Sequence, residues 1–223
     1  MVRSMKPIWS ICIATQHCRK AKLERLLKVL LPQVNKARGK IEVLIFYNNH
    51  EHTIGYYRQK MMEDARGEYI STIDDDDMIP DDFCETLLDK MGSVDYIGFR
   101  VAFYNDGKKL PPVYHSLRYN QWSQDENGYY RGVTHINPLK TEIALKGVFP
   151  EVTNGEDYQW TVNVHRYMAE SGQTFSEHYL DREMYSYDHA SHDPEEDVKN
   201  ERRDHCRPVI KNKYVRFHEE SNE

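Results

Sequence analysis

The stretch EYISTIDDDDMIP, residues 68–80, runs from an apolar, strand-like segment directly into four consecutive aspartates. Four adjacent carboxylates repel one another, so the end of a buried strand tolerates them only when a cation or strong donors neutralise them. Open α/β sheets bind nucleotides at the carboxyl ends of their strands, and Mn²⁺ or Mg²⁺ bridges carboxylates to diphosphates there. The stretch therefore predicts an α/β sheet with a metal and diphosphate site at residues 74–77. The alternative is a solvated acidic turn that caps a helix beginning at Pro80.

The sequence before and after this stretch predicts alternating strands and helices. Short runs of β-branched and apolar residues predict strands at 8–15, 41–47, 68–73 and 95–101. Apolar residues at helical spacing predict helices at 23–34, at 54–65 and from Pro80 onward. We expect Pro32 to end or kink the first helix and Gly67 to cap the second. Three βα units in succession predict a mainly parallel central sheet flanked by helices.

The second half of the chain predicts a different layer. Turn signals such as Asn127-Gly128 divide residues 102–133 into short polar and aromatic stretches, which predicts a small hairpin layer. Further elements are expected as helices at 138–145 and 155–168 and a strand at 177–187. We expect one domain over 1–188, with a nucleotide-binding half at 1–100 and an acceptor-side half at 101–188. Residues 189–223 are expected to form a polar tail that packs on or near the active site.

Composition restricts the class of protein. A chain of 223 residues can bury one substantial core, and none of its apolar runs reaches the length of a membrane span. The N-terminal residues lack the pattern of a secretory signal, and the four cysteines form no metal-binding or disulfide pattern. The net charge of −6 argues against whole-molecule attraction to nucleic acid. We therefore expect a cytoplasmic protein, in the host cytoplasm if the source is a virus.

Four blocks of sequence occur in an order that resembles the inverting glycosyltransferases of family 2, which adopt the GT-A fold. They are Ser10-Ile11-Cys12-Ile13-Ala14-Thr15 with Arg19; Arg58 with Ala65-Arg66-Gly67-Glu68-Tyr69-Ile70; residues 73–77 with Pro80; and Gly155-Glu156-Asp157. Together the blocks span about residues 8–160. The resemblance implies a nucleotide-sugar donor, most simply a UDP-sugar, and Mn²⁺ or Mg²⁺ as cofactor.

The resemblance also implies roles for individual residues on the donor side. It places Asp74 and Asp76 on the metal, and it makes Thr15, Asn48, Arg58, Asp74 and Asp75 candidate contacts of the donor nucleotide. Relatives often have an aspartate where this chain has Asn48-Asn49, although an amide can also pair with a pyrimidine edge. His189 and His192 stand where related enzymes supply a further metal ligand, and simple solvation is the alternative for both.

Asp157 is the expected general base. In the family, the acidic residue at this position removes the acceptor hydroxyl proton, and a positioned carboxylate contributes about 10²- to 10⁴-fold to such a reaction. Further candidate contacts of the acceptor or the donor sugar are Asp77, His135, Glu156 and Trp160. Helix capping is the alternative for Glu156, and a structural role is the alternative for His135.

The sequence does not identify the acceptor. Candidate acceptors are a saccharide, a glycoconjugate or a modified base in DNA. A polyanion would suit the basic stretch within residues 199–218, but acidic residues interrupt this stretch and favour a solvated helix instead. Two other functions are also consistent with the pattern. They are a nucleotidyltransferase that makes a nucleotide-sugar and a non-catalytic carbohydrate-binding relative.

Overall fold

The computed structural model describes residues 6–48, 51–189 and 213–217, the last of these as backbone only. The first half forms β1 (Trp9–Gln16), α1 (Lys20–Lys36), β2 (Ile41–Asn48), α2 (Ile54–Asp64), β3 (Tyr69–Thr72), α3 (Phe83–Leu88) and β4 (Tyr96–Asn105). Strands and helices alternate here, as predicted.

The second half forms mostly short strands, with one long helix and one long strand. They are β5 (Lys108–Lys109), β6 (Val113–His115), β7 (Ser123–Asp125), β8 (Gly128–Arg131), β9 (Leu139–Lys140), α4 (Thr141–Ala144), α5 (Glu156–Glu170), β10 (Glu177–Asp188) and β11 (Lys213–Phe217). The hairpin layer expected at 102–133 corresponds to β5–β8. These strands pair with β4 and with one another, so the layer continues the main sheet.

All strands of the described part belong to one mixed sheet. The main path through the sheet is β11-β2-β1-β3-β9-β4-β6-β8-β7, and both β10 and β5 pair with β4. Parallel pairing joins β1 to β2 and β3, and β10 to β4, whereas β9 lies antiparallel between β3 and β4. The predicted α/β sheet with flanking helices is confirmed.

Helices cover both faces of the sheet. In β1, Ile11 and Ile13 pack with α1 and α3, while the intervening Cys12 packs with α2, α4 and α5. Successive side chains of a strand point to opposite faces, so a strand that is covered on both sides is apolar throughout. The continuous apolar runs of β1 and β2 follow from this arrangement. Packing on both faces also holds the carboxyl ends of these strands in place.

Two backbone features of the first half differ from expectation, because Pro32 does not end its helix and Gly67 does not cap one. Pro32 lies inside α1, which continues to Lys36, because the buried Val34 holds the last turn against the core. Gly67 does not cap α2, which ends at an extended Ala65. A Cβ at Gly67 would lie 2.5 Å from the Ser10 nitrogen, so this glycine allows close approach of β1.

Two further helices begin later than predicted. Residues 139–140 form a strand, and only 141–144 are helical, because Lys140 N donates to Asp95 O at 2.9 Å and joins the sheet. Helix α3 begins at Phe83 rather than Pro80, since Met78 pairs with Ser186 of β10 and residues 80–83 form a turn in which Phe83 N donates to Pro80 O.

Part of the expected tail is a strand, β11, which pairs antiparallel with β2. A solvated helix is therefore wrong for residues 213–217, whereas 190–212 and 218–223 lie outside the described residues. Over the described residues, every helix is too short or too polar to cross a membrane.

Candidate active site

Two adjoining clefts open at the carboxyl ends of β1, β2 and β3. The strand-end cleft is lined by Thr15, Arg19, Asn48, Arg58 and residues 74–76, and its cavity volume is about 670 Å³. The hairpin cleft has a volume of about 640 Å³ and lies between the β7–β8 hairpin and the start of α5. Volumes of this size are typical of small-molecule sites.

The wall between the clefts is an ion-paired partition made by Arg58, Asp74 and Glu156, which line both of them. Arg58 Nη2 lies 2.7 Å from Asp74 Oδ1, and its Nη1 lies 2.6 Å from Glu156 Oε1. Burial lowers the pKa of Arg58, but the charges of Asp74 and Glu156 outweigh this effect and raise it overall. Burial also raises the pKa of Glu156, against the effect of Arg58. The partition therefore holds Asp74 at the junction of the clefts.

Asp75 and Asp76 are neutralised by basic side chains from the segment that follows β1. Arg19 contacts Asp75 through Nε at 2.9 Å and Nη2 at 2.6 Å, and the same Nη2 lies 2.8 Å from Asp76 Oδ2. Thr15 donates to Asp75 Oδ2 at 2.6 Å, and Lys22 Nζ lies 3.5 Å from Asp76 Oδ2. Both carboxylates are buried. The cation that the four aspartates require is thus supplied in part by the protein itself.

Asp77 lies on the other side of the partition, in the hairpin cleft. Within the described part of the chain, its Oδ1 is buried without a hydrogen-bond partner. Burial raises the pKa of Asp77 well above its ordinary value, and the charges of Asp74 and Asp76 add to this effect. Tyr185 anchors the turn at residues 74–77, because its hydroxyl accepts a hydrogen bond from Asp74 N at 3.0 Å.

Asp157 lies at the first turn of α5 and faces the hairpin cleft. Gly155 adopts a left-handed conformation, with φ of 77°, and so turns the chain into this helix. The Asp157 side chain is half-buried, and its Oδ1 accepts a hydrogen bond from Tyr158 N at 2.7 Å. Asp157 thereby borders the same cleft as Asp74 and Asp77.

Two histidines of the hairpin cleft are neutral at physiological pH. Burial lowers the pKa of His115 to about 3, and its Nδ1 lies 2.7 Å from Asn137 Oδ1. Burial, together with the nearby charge of Arg58, lowers the pKa of His135 to about 4. Among the described residues, no group hydrogen-bonds to the buried Nε2 of His135. A neutral His135 can donate or accept one hydrogen bond in the cleft.

Arg131, at the end of β8, also faces this cleft. Its guanidinium lies over the ring of Trp122, with Cζ 3.6 Å from the ring centroid. Burial lowers the pKa of Arg131, and the charge of Asp157 opposes this effect. Trp122 in turn packs edge-on against Tyr158, with ring centroids 5.0 Å apart.

The structure brings together most of the residues that the sequence singles out. Those that line the strand-end cleft are Thr15, Asn48, Arg58, Asp74, Asp75, Asp76 and Glu156. Those that line the hairpin cleft are Arg58, Asp74, Asp77, His135, Glu156 and Asp157.

Three candidates fall elsewhere. Trp160 is a core residue, 1% exposed, stacked on Phe149 and hydrogen-bonded to Ala144 O, so the expectation that it contacts a ligand is corrected. His189 is exposed beside Tyr187 and lines neither cleft. His192 lies outside the described residues.

Sequence reasoning missed several residues of the site. Arg19 was quoted only as part of a motif, although it binds two of the four aspartates. Arg131 gave no signal beyond the Asn127-Gly128 turn, which sets the hairpin that brings it to Trp122, one of the aromatic residues of 102–133. Tyr185 lies 111 residues from its partner Asp74, so no local pattern could connect them.

The carboxylates fit a divalent cation that also binds phosphate. Over the described residues, no group of three His, Cys, Asp or Glu side chains is arranged to hold a metal ion. Mg²⁺, however, is commonly held by one or two carboxylates together with substrate phosphates and water. Asp74 has a side chain that is 32% exposed and borders both clefts, and Asp77 carries the buried oxygen without a described partner. These two carboxylates have the capacity that such an ion requires.

Comparison with known proteins identifies the family. The family model described as glycosyl transferase family 2 matches residues 25–152. The chain belongs to this family. The match contains the aspartate run and the partition residues Arg58 and Asp74, and it confirms the resemblance found in the sequence. No curated protein matches the chain.

Solved structures with the same fold include TarS of S. aureus. TarS residues 1–349 match with 17% identity and a TM-score of 0.53, over 82% of this chain and 60% of that one. The complex of the same TarS fragment with UDP-GlcNAc matches with 16% identity and a TM-score of 0.54, over 88% and 64%. The chain therefore spans less than two thirds of the TarS fragment, and the likeness establishes the fold.

Proposed function

We propose that the chain transfers a sugar from a nucleotide-diphosphate donor to an acceptor hydroxyl by inverting single displacement. The observation that carries this proposal is the pair of clefts that meet at Asp74, with Asp157 on the hairpin side. Family membership favours transfer over the two other functions considered above. A UDP-sugar is the proposed donor, because the TarS neighbours include complexes with UDP-GlcNAc and with UDP.

The strand-end cleft is the proposed site of the nucleotide. Asn48 ends β2 and offers an amide to the edge of a pyrimidine base. Thr15 and Asp75 border the ribose, and Arg19 fixes the orientation of the Asp75 carboxylate. Arg58 places a guanidinium beside the diphosphate, at the partition. The sugar then extends past Asp74 into the hairpin cleft.

Asp74 and Asp77 are the proposed carboxylates for Mn²⁺ or Mg²⁺. Asp76, which the resemblance assigned to the metal, has a side chain with 0% exposure that is covered by Arg19 and Lys22. A bound divalent ion would offset the negative charge that develops on the departing diphosphate. The residues of this chain contribute by holding Asp74 through Arg58 and by anchoring the turn through Tyr185.

Asp157 is the proposed general base. It removes the proton of the acceptor hydroxyl, and the oxygen then attacks the anomeric carbon from the side opposite the leaving nucleotide. This geometry requires the base and the diphosphate site on opposite sides of the sugar. Asp157 lies in the hairpin cleft and does not line the strand-end cleft, which supports this assignment.

Thermal unfolding with UDP, GDP and CMP and their sugar conjugates, with and without Mn²⁺, tests donor binding. A ligand at about 100 times its dissociation constant adds roughly 2.7 kcal/mol of stability. We expect a Mn²⁺-dependent shift with UDP and UDP-sugars, followed by UDP release when saccharide, glycoconjugate or DNA acceptors are supplied.

Two other outcomes would count against the proposal. Release of pyrophosphate from a nucleoside triphosphate and a sugar phosphate would identify a nucleotidyltransferase. Sugar binding without a shift from any nucleotide would identify a non-catalytic carbohydrate-binding protein.

A further inference from the structure

The β7–β8 hairpin places a cation on an aromatic ring at the hairpin cleft. Ser123 pairs with Tyr130 in the antiparallel register, so Trp122 and Arg131 are the next residues outward on the two strands. Side chains opposite one another in such a pair lie close enough to interact. Here the Arg131 guanidinium lies over the Trp122 ring, with Cζ 3.6 Å from the centroid. The contact holds the guanidinium plane and leaves its N–H edge available to a ligand.

Arg131 differs from the other basic groups of this cleft. Arg58 is already bound to two carboxylates, Asp74 and Glu156. His115 and His135 are neutral at pH 7, with pKa values of about 3 and about 4. Within residues 6–48 and 51–189, the Arg131 guanidinium makes neither an ion pair nor a hydrogen bond. Over these residues, Arg131 is thus the cation of the cleft whose guanidinium N–H groups are available to a ligand.

A half-buried guanidinium without a hydrogen-bonded partner is unfavourable, because part of its hydration is lost and no acceptor replaces it. Asp157 contributes a favourable charge at a distance, but it makes no ion pair with Arg131. The aromatic residues Tyr129 and Tyr187 line the same cleft, where they add apolar surface beside Arg131. The cleft thus combines apolar surface with one cation that forms no ion pair with the described residues.

We propose that Arg131 binds an oxyanion on the acceptor, so that the acceptor is a saccharide that carries phosphate or carboxylate. The planar guanidinium matches both groups through two parallel hydrogen bonds. The anion would supply an ion-pair partner and would fix the acceptor hydroxyl relative to Asp157. This inference rests on the proposed function, because it assigns the hairpin cleft to the acceptor.

The test uses the full chain saturated with UDP and Mn²⁺, so that the diphosphate site is filled before an acceptor-side probe is added. Glucose 6-phosphate, glucuronate and glucose are then titrated by calorimetry. We expect at least one anionic probe to bind about tenfold tighter than glucose, a difference of about 1.4 kcal/mol. The phosphate and carboxylate probes distinguish the two sources of the oxyanion.

Two variants and a matched control assign the preference to Arg131. Arg131→Gln should remove the preference for the anionic probe, whereas Arg131→Lys keeps the charge and should retain part of it. Arg118→Gln is the control, because Arg118 also lies over an aromatic ring, with Cζ 4.6 Å from the Tyr179 centroid, but does not line the cleft. It should keep the full preference. If Arg131→Gln fails to fold, the Lys variant decides.

Equal binding of all three probes would overturn the inference, as would an equal loss in the Arg118 and Arg131 variants. Failure of UDP to bind the wild-type chain would instead contradict the proposed function. In that case the probes are titrated without UDP, and a preference lost only in the Arg131 variants would still support an anion site at the hairpin cleft.

Discussion

The two clefts share a wall but differ in how their polar groups are satisfied. In the strand-end cleft, Asp75 is hydrogen-bonded by Arg19 and Thr15. Asp76 is ion-paired with Arg19 and Lys22, although its two buried side-chain oxygens accept no hydrogen bond from the described residues. In the hairpin cleft, Asp77 Oδ1, Trp122 Nε1 and His135 Nε2 are buried without a partner among the described residues. Buried polar atoms are normally hydrogen-bonded, so exceptions point to a ligand, an ion or water. The first cleft is pre-organised by the protein, and the second is completed by what binds there.

The largest expected effect is on the chemistry of the hairpin cleft. Asp157→Asn keeps the shape of the side chain and its hydrogen bond from Tyr158, but removes the base. We expect the transfer rate to fall about 10²- to 10⁴-fold while UDP binding is unchanged. The rate of UDP release in the presence of acceptor measures the first quantity, and calorimetry with UDP measures the second.

Glu170→Gln is the control for this variant, since Glu170 is an exposed acid at the other end of α5. It should leave the rate as it is. Full activity in Asp157→Asn would show that another group takes the proton.

The next largest effect is a loss of folding free energy when the strand-end cleft is altered, which a matching change in the hairpin cleft should not produce. Arg19→Met leaves Asp75 and Asp76 buried without their main cation, and removal of one partner from a buried pair costs about 3–5 kcal/mol. For a chain of this size we expect the melting temperature to fall by about 6–20 °C. Chemical denaturation gives the free energy of unfolding directly.

Arg131→Gln is the counterpart in the hairpin cleft, and it should change the free energy of unfolding by less than about 1 kcal/mol. Its guanidinium has only the ring of Trp122 to lose, which is a contact of about 0.5–1 kcal/mol. Equal losses in the two variants would remove the distinction between a pre-organised and an incomplete cleft.

A smaller effect, graded by pH, comes from the neutral histidines of the hairpin cleft. The folded state keeps His115 neutral down to a pH of about 3, whereas the unfolded chain takes up a proton below its ordinary pKa of 6.5. The contribution of neutral His115 to the free energy of unfolding is therefore fully present above about pH 6.5, and it is lost as the pH falls toward 3. Each pH unit in this window costs about 1.4 kcal/mol for one such histidine.

His115→Gln should reduce that slope when unfolding is followed by denaturant between pH 7 and pH 4.5. The amide can still hydrogen-bond with Asn137 or Thr134, so the fold should survive the substitution. A slope equal to that of the wild type would mean that His115 is already protonated in the folded state.

The sequence predicted those elements whose signal is local. The apolar runs of β1 and β2 and the spacing in α1 and α5 depend on burial by nearby elements, and each was located to within a few residues. β9 was missed because a two-residue strand is defined only by its partners β3 and β4. Gly67 was misassigned for a similar reason, since its role depends on the approach of Ser10.

The same division applies to the site. The aspartate run and the Gly155-Glu156-Asp157 block are continuous in sequence, so their place at the clefts could be predicted. Trp160 carried an ambiguous signal, because an aromatic residue on an amphipathic helix faces the core more often than a ligand. The pairing of Arg19 with Asp75 joins residues 56 positions apart, and only the fold brings them together.

The pairing of β11 with β2 has a consequence for how the protein is made. Residues 213–217 occupy one edge of β2, which begins at residue 41, so the order of synthesis leaves that edge open while most of the chain is added. An open edge of a sheet is a template for pairing with other chains. During translation, this edge of β2 is therefore open to mispairing with other extended chains until residues 213–217 have been made.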